Sequence, residues 1–566
     1  MKTRMNLTAT VALGAVLTSS AGAAEILVSS DITTSQTWTK NNVYRLTTQV
    51  YVTNGASLTI EAGTVIASTT GVGGSLAVTR GARIFALGTA AEPIIMTSTS
   101  DVATWTNGNP KTGTWRAVAN EWGNLTINGR AYIGKYGQGA VSTNTAAPNA
   151  ANYANMEGLV DDGTGRTYYG GGDDMDDSGT LSHLSIRYGG KVVGLGNELN
   201  GLSLGGIGKS TEIDHIEIMN NVDDGIEIWG GTVDVKYFSI WNVGDDSLDL
   251  DHGWRGKAQF GLIVSGYSIP GAASGSGFPD SMFEIDGAAK SDAQPVTTCS
   301  LWNMTAIGQP FASGRHAVKF RDNARTQFNA CIFMDCPAQV IRNDNTDGEA
   351  SDGQTGYGHN GTLTWADTWT TDYNVYSSVN PFPSNPASRY TAMSSGKLIQ
   401  FTDSVFFNNN NASAYTEADA RGVFGAGNNN VKQAAVRPIK AITRGPNAVS
   451  GSLLVNNVIS LDPRAAGDAV TAATSAPNDG FFTPVTYRGA FSPTSNWMLG
   501  WTAADAYGYI VRPLEADLNG DGTVDGVDLG VMLGNWGGTG AADLNGDGTV
   551  DGVDLGILLG NWGATA

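Results

Sequence analysis

Residues 216–250 read IEIMNNVDDGIEIWGGTVDVKYFSIWNVGDDSLDL and contain the same short pattern several times. The triplets at 216–218 and 238–240 alternate apolar and polar side chains and form one series. The triplets at 226–228 and 248–250 form a second series with the same step. Alternation with period two is typical of a β-strand, and Gly or Asn between triplets indicates turns. The stretch therefore predicts short strands that recur with a step of about 22 residues, a length typical of one solenoid repeat.

The same step extends further along the chain. The triplet at 260–262 continues the first series, and the triplets at 318–320 and 340–342 repeat it. One such turn cannot bury its apolar side alone, so successive turns must stack. We predict an all-β, right-handed parallel β-helix over residues 24–435, with turns about 4.8 Å apart. A β-sandwich or a propeller is the alternative, although a propeller needs blades of about 40–50 residues.

The two ends of the chain differ from this repeat. Residues 1–23 combine early positive charge, a mildly apolar run and small residues before a cleavage point, which predicts a secretory signal peptide. Residues 436–512 are rich in aromatic side chains and are expected to close the end of the solenoid. Residues 513–566 contain nine acids and no Lys or Arg, which predicts a separate module.

Composition argues against several classes of protein. The chain has 33 Lys and Arg against 53 Asp and Glu, a formal net charge of −20, so a nucleic-acid partner is not expected. After the first 23 residues, no apolar run approaches the roughly 18–20 residues of a membrane span. Three cysteines, Cys299, Cys331 and Cys336, allow at most one disulfide, and buried thiols are equally compatible.

The most specific motif lies near the C-terminus, where DLNGDGTVDGVD occurs at 517–528 and again at 543–554. Short oxygen-bearing side chains alternate with other residues, and a glycine stands where the loop must turn, as Ca²⁺ loops require. The predicted ligands of two Ca²⁺ ions are Asp517, Asn519, Asp521, Thr523, Asp525 and Asp528, and then Asp543, Asn545, Asp547, Thr549, Asp551 and Asp554.

Over residues 515–563 the chain resembles a type I dockerin, a module of two loop–helix calcium repeats. The resemblance implies calcium-dependent folding and a helix surface that binds a cohesin-like or other surface scaffold protein. A pair of hydroxyl residues is usual before the last ligand of each loop, and this sequence has Gly-Val at 526–527 and 552–553 instead. A sorting or surface-attachment role is therefore equally compatible. The residues expected to form one apolar stripe in each helix are Leu529, Leu533 and Trp536, and Leu555, Leu559 and Trp562.

The first turns of the body also resemble those of large secreted bacterial β-helix proteins. LTIEAGTVI at 58–66, ARIFALGT at 82–89 and WGNLTING at 122–129 carry this resemblance. It implies the fold and an extracellular or cell-surface setting, and it implies no particular reaction.

A second candidate site lies within the repeat itself. Two acidic pairs are separated by the repeat step, and two single acids share it, so their carboxylates should lie on successive turns. Like charges at this spacing repel unless a cation, a basic side chain or raised pKa values offset them. The residues are Asp223, Asp224, Glu227, Asp245, Asp246 and Asp249.

Three interpretations of these acids stay open. They could hold a cation that binds acidic polysaccharide, as in β-helix pectate lyases, with Lys236, Arg255 or Lys257 nearby as a base. They could hydrolyse a glycosidic bond as paired carboxylates. They could simply cap the turns of the coil. We expect a non-enzymatic exported protein that binds glycan or protein along its flank, and the alternative is a tethered polysaccharide lyase or glycoside hydrolase.

The sequence also predicts the surroundings of two further sets of polar residues. The acids at 173–174 and 176–177 follow a glycine run and predict a solvated loop. The histidines are scattered, so each is expected to be partnered or exposed rather than a metal ligand. They are His183, His215, His252, His316 and His359.

Overall fold

The chain is described here from a computed structural model. The described residues are 24–134, 152–194, 197–266, 280–288, 294–310, 316–321, 324–336, 340–343, 390, 399–409, 428–450, 453–512, 514–545 and 547–565. The predicted signal peptide at 1–23 lies outside these ranges. Among the described residues, no helix is long and apolar enough to cross a membrane.

Two parallel sheets wind together along the body, which confirms the parallel β-helix. The long sheet contains Ala24–Val28, Gln36–Trp38, Asn42–Leu46, Ser57–Glu61, Val65–Ser68, Arg83–Leu87, Ile94–Ser98, Gly179–Arg187, Glu212–Met219, Asp234–Trp241, Lys257–Val264, Thr298–Trp302, Thr305–Ile307, Arg325–Asn329, Ile332–Met334, Ile399–Thr402 and Val405–Phe407. The nine-stranded sheet contains Gln49–Val52, Ser75–Val78, Leu125–Asn128, Leu202–Ile207, Ile226–Gly231, Leu248–Asp251, Ser281–Asp286, His316–Arg321 and Ile341–Asn343.

Smaller elements decorate the coil. Four antiparallel pairs join Ala154–Asn155 to Tyr168–Tyr169, Val192–Gly194 to Asn197–Glu198, Ile439–Arg444 to Val458–Ala465, and Ala448–Ser450 to Leu453–Val455. The α-helices are Thr99–Val102, Ala503–Ala506, Gly526–Gly534 and Gly552–Gly560, and 3₁₀ turns span Pro110–Thr112 and Gly467–Ala469.

The core is a set of inward apolar rows that run from turn to turn. In one row, Ile218 pairs with Ile240 and Ile240 pairs with Ile263, and all three are buried. Successive turns of the nine-stranded sheet align Ile226 with Leu248 in the same way. Because each turn contributes one side chain to a row, the turns bury a continuous core together.

Two of the expected repeat steps are wrong by one residue. Phe238 pairs with Gly261, and Val318 pairs with Ile341, so each of these steps is longer than predicted. Trp229 still pairs with Asp251 at the predicted step, whereas Val235 pairs with Ala258, one residue further on, so the extra residue lies between Asp251 and Ala258. A sequence repeat places the strand, but one added residue in the connection before it shifts the register.

The bends of the long strands carry stacked rings. His183, His215, Tyr237 and Phe260 all have φ between 48° and 62°, a left-handed conformation that is uncommon for such residues. Their ring centroids are 4.1, 4.5 and 4.9 Å apart along the row. Ring stacking on the outside of the coil therefore accompanies each bend.

Residues 436–512, which were expected to close the end of the solenoid, pack along one flank of it. Met219, Trp241 and Leu262 point outward from the long sheet there and share a buried cluster with Phe491 and Met498. These outward apolar residues give the flank a second hydrophobic surface, which the segment covers.

The C-terminal module has its own small core, centred on Met532 and Leu558. The expected stripes are only partly correct, because the helices end at Gly534 and Gly560, before Trp536 and Trp562. Leu533 and Trp536 are about half exposed, at 54% and 48%, and the equivalent Leu559 and Trp562 are exposed to the same extent. The end of each helix and the turn after it therefore present apolar side chains to solvent.

The three cysteines are buried free thiols, which decides between the two alternatives left open by the sequence. Burial raises the pKa of the Cys299 and Cys331 thiols to about 12. These side chains pack as small apolar groups.

We predict that Ile240→Ala lowers the free energy of unfolding by about 3 kcal/mol, because it opens a cavity in a stacked row. The exposed Glu212→Ala in the adjacent strand should change it by less than about 0.5 kcal/mol. Chemical denaturation measures both values. Equal effects of the two substitutions would contradict the assignment of the inward row.

Candidate functional site

The outward face of the nine-stranded sheet carries one acidic row. Ser203 pairs with Glu227, and the row continues through Asp249 and Glu284 to Lys319. The corner before these strands adds further acids on the same turns. We call the following residues the carboxylate cluster: Asp223, Asp224, Glu227, Asp245, Asp246, Asp249, Asp280 and Glu284.

The stacking predicted for the six acids is confirmed in register, and their oxygens converge. Three groups each place three carboxylate oxygens within 4.8 Å of one another. The groups are Asp223, Asp224 and Asp245, then Asp224, Glu227 and Asp249, and then Asp245, Asp246 and Asp280. Oxygens are the ligands that Ca²⁺ and Mg²⁺ prefer, so the donor set fits a hard divalent cation.

Capping accounts for part of this arrangement. Asp224 Oδ1 accepts the Asp246 backbone N–H at 2.8 Å, and Asp246 Oδ1 accepts the Ser281 N–H at 2.6 Å. Each of these side chains thus closes the next turn with one oxygen. In contrast, the buried Asp249 Oδ1 has no hydrogen-bond partner among the described residues. A buried oxygen in this state has acceptor capacity left for a ligand.

Burial strongly disfavours charge in the cluster. It raises the pKa of Asp224, Glu227, Asp246 and Asp249 well above their ordinary values, and neighbouring carboxylates raise them further. The same two causes raise the pKa of Asp245 to about 8. Protons or a bound cation must therefore neutralise part of the cluster near neutral pH.

The basic side chains at the cluster are Lys319 and Arg321. Both contact Glu284, and Lys319 Nζ lies 3.1 Å from its Oε2. Burial opposes ionisation of Glu284, but a hydrogen bond with Asp246 and these two cations lower its pKa to about 2. Glu284 therefore stays ionised at neutral pH.

The basic residues proposed from sequence lie elsewhere. Lys236 Nζ donates to the Phe481 carbonyl at 2.6 Å, on the long sheet. Lys257 pairs with Asp479 at 2.6 Å on the same side. Arg255 is buried against the segment at 173–177. Neighbours in sequence point to different faces here, because each turn of the coil changes direction.

Sequence analysis missed Asp280, Glu284 and Arg321 as site residues. The interval from Asp249 to its partner Glu284 is 35 residues, which exceeds the repeat step. The MFEID stretch at 282–286 repeats the alternating pattern of the earlier turns. This pattern was the sequence signal that could have identified Glu284 as a member of the acidic row.

The acids at 173–177 are not simply a solvated loop, which corrects another expectation. Arg255 donates to both oxygens of Asp174, at 2.7 and 2.8 Å, and both side chains are buried. Arg130 binds the buried Asp176 at 2.7 Å. Among these acids, only Asp173 is exposed. The ion pairs anchor the segment to the coil.

This anchored insert, residues 152–178, covers part of the nine-stranded sheet. Met156 and Tyr169 pack in a cluster with Tyr51 and Trp229. A Cβ on Gly205 would lie 2.6 Å from Tyr169 Cγ, so only glycine permits this approach. The insert therefore ends where the acidic row begins.

Beside the insert, Tyr169 and His252 form a buried polar pair. The Tyr169 hydroxyl lies 2.7 Å from His252 Nδ1, and His252 Nε2 lies 2.8 Å from Asp251. Burial raises the pKa of Tyr169 well above 10. The Tyr169 phenol therefore stays protonated, and its contact with His252 holds the insert against the coil beside the site.

His183 and His215 agree with the expectation of partnered side chains. Burial, reinforced by His215, lowers the pKa of His183 to about 4, so its ring is neutral. The two rings lie near Asp214 and are parallel within 6°. Their in-plane lone pairs cannot converge on one ion, which disfavours a shared metal.

The C-terminal loops place the twelve predicted ligands in two matching arrangements. Asp517 accepts the backbone N–H groups of Gly520 and Gly522, at 2.8 and 2.9 Å. Asp528 is buried and accepts three backbone N–H groups, as Asp554 does in the second repeat. In each repeat, backbone N–H groups therefore hold the first and the last of the predicted carboxylate ligands, and the last one lies in the first turn of the helix.

Comparison with known families identifies the fold class independently. Residues 30–380 match the family described as a pectate-lyase-like beta helix domain. This match spans more than half of the chain, and the chain belongs to that family. No curated protein and no solved structure matches the chain.

We predict that the cluster makes stability depend on pH. Because the folded pKa of Asp245 is raised from about 4 to about 8, the folded state binds a proton that the unfolded state releases. Stability should fall as pH rises between these values. In EDTA, the difference between the melting temperature of the native chain and that of Asp245→Asn should therefore decrease from acid to neutral pH. A constant or increasing difference would contradict the raised pKa.

Proposed function

We propose that the chain binds an acidic polysaccharide on the nine-stranded sheet, through a divalent cation held by the carboxylate cluster. The observation that carries this proposal is the unpartnered, buried Asp249 oxygen among acids that burial keeps from ionising. A bound cation offsets the free-energy cost of ionising these buried acids, and it keeps coordination positions open for a carboxylated sugar.

The three convergent groups of acids would hold this cation. Ca²⁺ suits them best, because it accepts six to eight oxygens in flexible geometry. Bound Ca²⁺ supplies positive charge that attracts the carboxylates of the glycan. Lys319 and Arg321, at the far end of the row, add positive charge beside it.

The protonation state of the nearby basic side chain Lys319 favours binding without cleavage. Burial alone would lower the pKa of Lys319, but Glu284 raises it, so Lys319 stays protonated near neutral pH. A protonated lysine cannot abstract a proton from a sugar. The second candidate is polysaccharide cleavage by a lyase or hydrolase, which membership of the pectate-lyase-like family supports.

The C-terminal module, 513–566, is proposed as a calcium-dependent attachment module. The twelve ligands named above would hold two Ca²⁺ ions, and the identical spacing of these oxygen-bearing side chains in the two loops supports this. Val527 and Leu533 are exposed on the first helix, Trp536 is exposed just after it, and the second repeat has the same three exposed positions. Exposed apolar side chains suit a protein partner, such as a cohesin-like or surface scaffold protein. Export through the segment 1–23 completes the proposal of a secreted or cell-surface protein.

Retention on immobilised polygalacturonate tests the main proposal. We expect Ca²⁺ to strengthen retention and EDTA to remove this increase, and we expect Asp224→Asn/Asp246→Asn to retain no better in Ca²⁺ than in EDTA. The exposed Asp468→Asn should retain native behaviour.

Retention of the double variant equal to that of the native chain would contradict the role of the cluster. Release of unsaturated uronate or of new reducing ends during the same incubation would favour the second candidate, cleavage, over binding alone.

A further inference from the structure

A cavity of about 530 Å³ lies on the long sheet, in the first turns of the coil. Its floor includes Val43, Val65 and Ile95, which occupy matching positions on three neighbouring strands. These side chains point outward, since their neighbours Tyr44, Ile66 and Met96 belong to the core. The floor is thus an apolar strip on the outer surface of the coil.

One wall of the cavity comes from the chain segment that follows the sheet. The helix Thr99–Val102 and the turn Pro110–Thr112 bracket this segment. Trp105, only 8% exposed, lines the cavity from the segment. An aromatic wall above an apolar floor is typical of sites that take a ring with one apolar face.

The rim of the cavity is polar. Lys40 and Glu92 form an ion pair at 2.6 Å, and both side chains are about half exposed. Asn42 and Asn109 add amide groups. Lys111 lines the same rim and has no ion-pair partner among the described residues. The rim therefore offers donors, acceptors and one uncompensated ammonium.

We propose that this cavity binds a saccharide unit that carries a carboxylate. The strip of Val43, Val65 and Ile95 contacts the C–H face of the sugar ring, and Trp105 packs beside it. The amides and Glu92 hydrogen-bond the hydroxyl groups. Lys111 pairs with the carboxylate. The volume falls within the roughly 300–1,000 Å³ of ordinary small-ligand sites.

Charge supports an anionic ligand at this place. The whole chain has a net charge of −20, yet Lys40 and Lys111 outnumber Glu92 around the cavity. The ammonium of Lys111 binds a carboxylate directly, without a metal ion. This site is therefore independent of the carboxylate cluster, and its binding should persist in EDTA.

Calorimetric titration of the full chain in EDTA tests the proposal, with a trimer of galacturonic acid and a trimer of galactose as probes. We expect the charged trimer to bind and the neutral trimer to bind about tenfold more weakly. Lys111→Gln should weaken the charged trimer about tenfold and leave the neutral trimer nearly unchanged. Lys440→Gln, outside the cavity, is the matched control and should leave both unchanged.

Val65→Phe is the second variant, because a larger outward side chain fills the cavity without entering the core. It should abolish binding of both trimers, while Thr59→Phe, at another outward strand position, should not. Melting temperatures of both variants show whether the fold is intact.

No binding of the charged trimer in EDTA, or binding that Val65→Phe leaves unchanged, would overturn the proposal. Equal affinity for both trimers would overturn the role of Lys111. Asp224→Asn/Asp246→Asn should leave this titration unchanged, so its outcome is separate from that of the polygalacturonate experiment.

Discussion

Parallel pairing of each turn with the next is the constraint on which the rest of the structure depends. It aligns equivalent positions along the coil, so each row contains one side chain per turn. Inward, the result is an apolar row such as Ile218, Ile240 and Ile263. Outward, the same register stacks Glu227, Asp249 and Glu284, where like charges meet at the spacing of neighbouring strands.

The outer surfaces of the coil differ in which segments of the chain cover them. Residues 436–512 cover an apolar flank, and Glu217, buried beneath them, accepts the backbone N–H groups of Ala503 and Ala504. The insert covers the start of the nine-stranded sheet and is held by Arg255 and Arg130. The acidic row begins where this cover ends, so the fold itself determines which turns carry the candidate site.

Much of this organisation follows from sequence periodicity. The alternating triplets predicted the strands, and the common step predicted that Asp224 and Asp246 lie on neighbouring turns. Periodicity could not predict the extra residue between Asp251 and Ala258, because one added residue in a connection changes the register without changing the alternating pattern of the strands. It also could not place Lys236 or Arg255, since the direction of a side chain depends on where the turn bends.

The ion pairs that the sequence did not predict have a similar physical cause. Arg255 and Asp174 are 81 residues apart, and only the folded coil brings them together. Lys319 and Glu284 are 35 residues apart and meet because their strands pair in the folded coil. Long-range ion pairs of this kind have no local pattern, whereas the calcium repeats near the C-terminus do, because all their candidate ligands come from one short loop.

The central claim is that the carboxylate cluster holds a cation, and counting bound Ca²⁺ tests it most directly. Equilibrium titration of the full chain should find more than the two ions expected for the C-terminal module. Asp224→Asn/Asp246→Asn should remove the additional ions, and Asp528→Asn/Asp554→Asn should leave them bound. A total of two ions that the first variant leaves unchanged would contradict the account, and the cluster would then serve only to cap the turns of the coil.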